Sequence, residues 1–337
     1  MFLNPLHSTR TSLCAFALAG VLGMAPQSAT AEELVLTEPV HGVSFLPVYV
    51  AQRKGYFKDE GVDLKLTTMA GAAFVNAVIS GEAFAFLGSV DHNAFAKANG
   101  KDIKAVSNLV AHANIYLMAR LDLMPLTTDV PTFLKGKRIA TQTYGRTPNN
   151  VLRYFLNKWK LEPGKDVTLI EVDSPVVPIT VKTQQADAGT SAEPFISQAK
   201  KQGIWGDPIF NAAKELGPYA DTAVSVRGDS IDKNPKLVRG LVKAVMRGLT
   251  YVDNHKGEMV EFSKAEFPTA SQEDLEAALN RAFADQIFST DGFIPPQAWT
   301  TGEAVVLQAN ILKKPVGYDA VIDMRFVKEL QKELGIP

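Results

Sequence analysis

The sequence predicts an α/β fold of two lobes, the second inserted into the first and joined to it by two strands. Three observations predict it. Short apolar runs alternate with helical stretches of about ten residues, the pattern of parallel βαβ units. A polar, proline-containing stretch at 121–129 interrupts the series, and a second alternating series follows it. After that series, a strand-like run at 222–227 leads into a helical remainder. A length of 337 residues fits two domains of ordinary size.

The first thirty-one residues stand apart. Arg10 and His7 precede a short apolar run at 13–24, and the stretch 26–31 ends in an A-x-A pattern. A basic start, a short apolar run and small residues at a cleavage point describe a secretory signal peptide, expected to be cut after Ala31. The run is shorter than the ~20 residues of a spanning helix. Cys14 is the sole cysteine and lies early in this run, before the place a lipid-anchor cysteine would occupy. The mature chain is then cysteine-free, which excludes disulfides, thiolate zinc sites and cysteine nucleophiles.

In the first series, strands are expected at 34–37, 62–67, 83–87 and 103–109, with helices at 46–54, 72–80 and 90–99. Pro47 is permitted in a first helical turn because those amides lack intrahelical partners. A strand at 116–120 is expected to close this half before the crossover. The second series gives strands at 137–141, 167–172 and 186–190, with helices at 148–159, 176–183 and 192–202. The strand 222–227 returns to the first lobe. Beyond it, Leu237, Leu241, Val245 and Leu249 mark one face of a helix at 235–254. Ser271 and Asp274 form a helix-capping pattern, and helices at 295–312 and 320–334 complete the chain. The expected organisation is therefore 1–31 signal peptide, 32–120 with 223–337 as lobe 1, and 121–222 as lobe 2.

The formal net charge is −1 with no basic stripe, which argues against a nucleic-acid partner. There is no G-x-S-x-G, H-E-x-x-H or phosphate-loop motif, and no metal or cofactor is expected.

The stretch Phe45-Leu46-Pro47-Val48-Tyr49-Val50-Ala51-Gln52-Arg53-Lys54-Gly55-Tyr56-Phe57-Lys58-Asp59-Glu60-Gly61 resembles the opening of the nitrate/sulfonate/taurine-type (NitT/TauT) ABC-transporter substrate-binding proteins. Further similar pieces occur in the same order: Ser80-Gly81-Glu82, Leu134-Lys135-Gly136-Lys137, Ala186-Asp187-Ala188 leading to Glu193-Pro194, and Asp291-Gly292-Phe293 with Trp299. The resemblance implies a type II periplasmic-binding-protein fold and delivery of a small molecule to a permease with a cytoplasmic ATPase. It also implies a periplasmic location and a ligand contact near Ser89.

In a parallel sheet, ligands bind at the carboxyl ends of strands, in the loops entering helices. His41 and Ser44 lie in such a loop, where His41 reads equally as a ligand contact or as a locally bonded side chain. Ser89 can cap the next helix or donate to a ligand. In the loop 144–149, Tyr144 offers a stacking surface and Gly145 a close backbone approach. Arg146 offers a cation beside a helix start, suited to a carboxylate or sulfonate. Thr147 reads as the helix cap, with Pro148 as the first helical residue. Ser191 ends the last strand of the second lobe. Glu193 reads as a first-turn acid or as an acceptor for a ligand amine. The expected function is capture of a small anionic or zwitterionic solute by a monomer. The alternative is an enzyme of the same fold acting on a pyrimidine or a chorismate-derived substrate.

The leader generates the first prediction: intact-mass analysis of the protein exported by a Gram-negative host gives a chain beginning at Glu32. A chain recovered only in the cytoplasm with residues 1–31 attached would contradict it.

Overall fold

The computed structural model describes residues 32–125 and 129–336. The leader expected at 1–31 lies outside them. Ten strands form two five-stranded sheets. The first contains β1 (Glu32–Glu38), β2 (Val62–Thr68), β3 (Ala85–Gly88), β4 (Ile103–His112) and β10 (Pro218–Arg227), in the order β2-β1-β3-β10-β4. The second contains β5 (Tyr116–Arg120), β6 (Arg138–Thr141), β7 (Thr168–Glu171), β8 (Ala188–Ser191) and β9 (Trp205–Asn211), in the order β7-β6-β8-β5-β9.

In each sheet the fourth strand in this order runs against its neighbours. In the first sheet that strand is β10, antiparallel to β3 and β4; in the second it is β5, antiparallel to β8 and β9. Both are the strands entered directly after a crossing. The chain leaves β4 through 113–115 into β5, and leaves β9 through 212–217 into β10. A chain that exits one sheet at its carboxyl ends and enters a facing sheet at its carboxyl ends must run away from the gap. It is therefore antiparallel to the parallel strands there. The two antiparallel strands thus place the carboxyl ends of both parallel sets against one another.

These pairings correct the expected boundaries. Tyr116–Arg120 pairs with β8 and β9 rather than closing the first lobe, so the crossing is at 113–115 and not after Arg120. The return strand begins at Pro218, before the expected 222. β9 has no counterpart among the expected strands, because Asp207 and Pro208 break its apolar pattern. Proline is tolerated there because β9 is an edge strand, bonded on one side only to β5 and with register shifts. The helix expected at 320–334 is broken at Ile322, which forms a bridge to Ala105, leaving helices Tyr318–Val321 and Arg325–Leu334.

Leu34, Leu36, Leu87, Val106 and Val224 from the first sheet pack with Leu241, Val245 and Leu249 of the helix Pro235–Asn254. In the second sheet, alternation splits neighbours between faces. Met118 joins Ala140, Val181, Ile196 and Trp205, whereas Leu117 joins Leu134, Ile139, Leu152 and Leu156. A further apolar cluster straddles the crossings: Ala113 and Ile115 from the first, Ala212 and Tyr219 at the second, Val151 and Phe155 from the helix Thr147–Lys158, and Val305 from the helix Pro296–Gln308.

Gly248 shows how closely the first lobe is packed. A Cβ there would collide with the Pro47 carbonyl oxygen of the facing helix Leu46–Arg53. Gly248→Ala gains up to about 1 kcal/mol of helix propensity but forces backbone apart, which costs about 1–3 kcal/mol. The net expectation is destabilisation, read as a lower urea midpoint at unchanged slope. A midpoint equal to or above that of the parent protein would contradict this packing.

Candidate functional site

The facing carboxyl ends bring together side chains from both lobes and both crossings. Ser44 Oγ accepts from Asn114 Nδ2 at 2.6 Å, joining the loop after β1 to the first crossing. The backbone N–H of Asn114 points at Asp221 Oδ2, 3.4 Å away. Ser89 caps the helix Val90–Ala98 by accepting from the Asp91 amide at 3.3 Å, and its hydroxyl reaches the Ala220 carbonyl at 3.4 Å. The Asp91 carboxylate accepts from Tyr219 Oη at 2.7 Å and also from the Asn150 amide, which comes from the second lobe.

Asp91 is fully enclosed, and burial pushes its carboxyl up to about 6 against the bonds from Tyr219, Ser89 and Asn150. Asp221 is half-buried by surface area yet closely ringed by protein. Burial first, with repulsion from Asp91 adding to it, pushes its carboxyl up to about 7. Neither has a cationic partner among the described residues. Desolvation without compensating charge is what drives carboxyl groups toward their neutral form.

The expected residues are partitioned by this geometry. Ser44 bonds to Asn114 in the first crossing, Ser89 is buried at its helix cap, and Ser191 lies buried at the end of β8. His41 is committed within the first lobe. Its Nδ1 is 2.9 Å from the buried Glu38 carboxylate, which also accepts from Tyr49 Oη at 2.6 Å and Thr68 Oγ1 at 2.9 Å. The bond to Glu38 raises the imidazole above its ordinary value, and its ring stacks on Tyr49 at 4.4 Å. Tyr144 is about half exposed and donates to the Ala309 carbonyl at 3.0 Å, tying the second lobe to the helix Pro296–Gln308 of the first. Gly145 has φ +85°, the left-handed region, and a Cβ there would just touch the Ile311 side chain.

Arg146 does not wait for an anion. Its Nη1 donates to the Gly71 carbonyl at 2.6 Å and its guanidinium sits 5.0 Å from the centre of the Phe74 ring, again joining the lobes. Thr147 is the first helical residue rather than the cap, a position held by Arg146 without a side-chain capping bond. The reason is that the Arg146 backbone is still extended. Glu193 is buried. It accepts from the Ser197 amide and hydroxyl, both at 3.0 Å, and from Arg281 Nε of the first lobe at 2.9 Å.

Asn150, Tyr219 and Asp221 were passed over in the sequence. The one signal was position: Asn114 and Asp221 flank the two crossings. A cavity of about 500 Å³ in the first lobe is lined by His112 and Pro218 together with Leu249, Phe283 and Phe288. It draws on no residue of the second sheet, whereas another cavity of about 500 Å³ lies between the lobes, lined by Tyr116 and Asn211 of the second sheet and by Arg281 and Asp285 of the first lobe. Among the described residues no cluster of three His, Cys, Asp or Glu side chains converges to hold a metal, and no helix is long and apolar enough to cross a membrane.

Residues 43–259 match the family model described as NMT1/THI5 like. The chain belongs to this family. Among sequence relatives, the putative binding protein YtlA of Bacillus subtilis is 26% identical over 318 residues, covering 93% of this chain and 94% of that one. The 4-amino-5-hydroxymethyl-2-methylpyrimidine phosphate synthase of Candida albicans is 26% identical over 238 residues, covering 63% of this chain and 65% of that one. Among solved structures, the periplasmic nitrate-binding protein NrtA of Synechocystis superposes with a TM-score of 0.72 at 19% identity, covering 90% of this chain and 89% of that one. The fold is thus that of the type II periplasmic binding proteins, and the relatives in this family include ABC-type substrate-binding proteins.

The raised carboxyl of Asp221 sets a sign for stability. The folded protein holds this proton more tightly than the unfolded chain, so stability is lost as pH rises from ~4 toward 7. Asp221→Asn is expected to raise the melting temperature of the ligand-free protein at pH 8, with the gap closing by pH 5. A variant less stable than the parent at pH 8 would contradict the assignment.

Proposed function

We propose that this chain is the extracytoplasmic substrate-binding component of an ABC importer, closing its two lobes over a small organic solute and releasing it chemically unchanged. The observation that carries the reading is the convergence of Ser44, Asn114, Asp91, Asn150 and Asp221, from both lobes and both crossings, at the facing ends of the two sheets. Such a site is completed only when the lobes approach, so a solute that bonds to both sides favours closure. The partners are the solute, a permease and its cytoplasmic ATPase, met by a monomer in the periplasm after loss of the leader. The long matches to YtlA and NrtA support binding over catalysis.

The Candida albicans synthase keeps an enzymatic reading alive as the second possibility. A thermal-shift screen of the mature protein, followed by mass analysis of each stabilising compound, separates the two. A ligand at a hundred times its dissociation constant adds about 2.7 kcal/mol to stability. The expected result is a stabilising compound recovered intact, with Ser44→Ala and Asn150→Ala each weakening it about five- to tenfold, as loss of about 1 kcal/mol of hydrogen bonding implies. Conversion of the compound to a product would overturn the proposal.

A further inference from the structure

We propose that the captured solute is an organic cation bearing N–H donors, such as an amidinium or protonated amine, which docks against Asp91, Asp221 and Asn150. This rests on the reading that the interlobe region is the solute site. The argument begins with unfilled bonding capacity. Asn150 is fully buried, its amide nitrogen is directed to Asp91 and to the Gly145 carbonyl at 3.4 Å, and its Oδ1 has no partner. Asp221 has a single donor, the distant Asn114 amide. What remains open at this point is acceptors, so the complement is a molecule rich in donors.

The charges agree. From β10 the neighbours of the acid pair are Tyr219 and Asp221 itself; from the first crossing, Asn114; from the helix Val90–Ala98, Ser89 at its cap. The helix Pro296–Gln308 presents Gly302 toward Asp91. From the helix Thr147–Lys158 comes Asn150, while the preceding Arg146 is turned to Gly71 and Phe74. His92, next to Asp91 in sequence, packs on Phe74 and Phe86, and burial pushes it down to about 3, so it is uncharged at neutral pH. Glu193 is already satisfied by Ser197 and Arg281. Among the described residues no cation therefore neutralises the pair. A buried carboxyl and a second, half-buried one beside it are costly without one. An anionic solute would meet this pair with repulsion, whereas a cation would supply the missing charge.

Proton linkage follows. A cation favours the ionised carboxylates, so its binding at neutral pH expels a proton carried mainly by Asp221. Affinity for a cation then falls as pH is lowered, by up to about tenfold per unit below the Asp221 midpoint. An anion would show the reverse slope.

Calorimetry on the mature protein at pH 5, 6, 7 and 8 tests this, with benzamidine, histamine and agmatine in one arm and nitrate, ethanesulfonate and benzoate in the other. The expected result is binding in the first arm that tightens with pH, with Asp221→Asn weakening it and flattening the slope. Asp221→Lys, which places a cation in the site, is expected to abolish binding in that arm. Preferential binding of the anions, or a cation affinity independent of pH, overturns the inference while leaving solute capture standing. Binding in neither arm also overturns it, and capture is then judged by the thermal-shift screen alone.

Discussion

Two chain crossings constrain everything else in this molecule. Because the chain enters each sheet from the gap, through 113–115 and through 212–217, the entering strands β5 and β10 run against their neighbours. All six parallel strands flanking them, β1, β2 and β3 in one lobe and β6, β7 and β8 in the other, then end at the gap. Helix starts and their exposed amides follow at the same place. The site is thus a consequence of topology before any particular side chain is chosen.

The lobes are held together by pairs of unequal character. At the rim, Arg146 to the Gly71 carbonyl and Tyr144 to the Ala309 carbonyl are partly exposed. On another side, the helix Gln272–Ala284 reaches the second lobe through Arg281 to Glu193, and Asp285, just beyond its end, accepts from Tyr116 Oη at 2.7 Å and from Asn211 at 2.9 Å. The rim bonds are partly exposed and each contributes little net energy, whereas the carboxylates of Glu193 and Asp285 are buried and paired. The buried acids at the centre are different. They are bonded to Tyr219, Asn150 and Asn114 but have no cationic partner among the described residues, and under our proposal the solute supplies that charge.

Much of the fold was legible in the sequence because its strands are short apolar runs punctuated by helices of regular period. The capping pattern at Ser271 and Asp274 is realised as a reciprocal pair of bonds. What failed to show were features set by pairing partners. β9 is a strand because its edge position excuses Pro208, and Tyr116–Arg120 belongs to the second sheet because of long-range pairing that no local pattern announces. At the site, Ser44 and Ser89 were readable from their place after strands. His41 and Arg146 are bonded within the protein, to Glu38 and to the Gly71 carbonyl, partners that lie outside the local sequence pattern of their loops. Asn150, Tyr219 and Asp221 required the crossings to be located first.

The most direct test of interlobe capture is a distance measurement. The chain has one cysteine, Cys14, in the expected leader, so the mature protein accepts spin labels cleanly. Labels at Phe95→Cys in the first lobe and Ile179→Cys in the second, both at exposed positions, report the gap by pulsed dipolar spectroscopy. Lobes that close over a solute give a longer or broader distance distribution without ligand and a single shorter one with it. A distribution unchanged by a compound that binds tightly would contradict capture between the lobes.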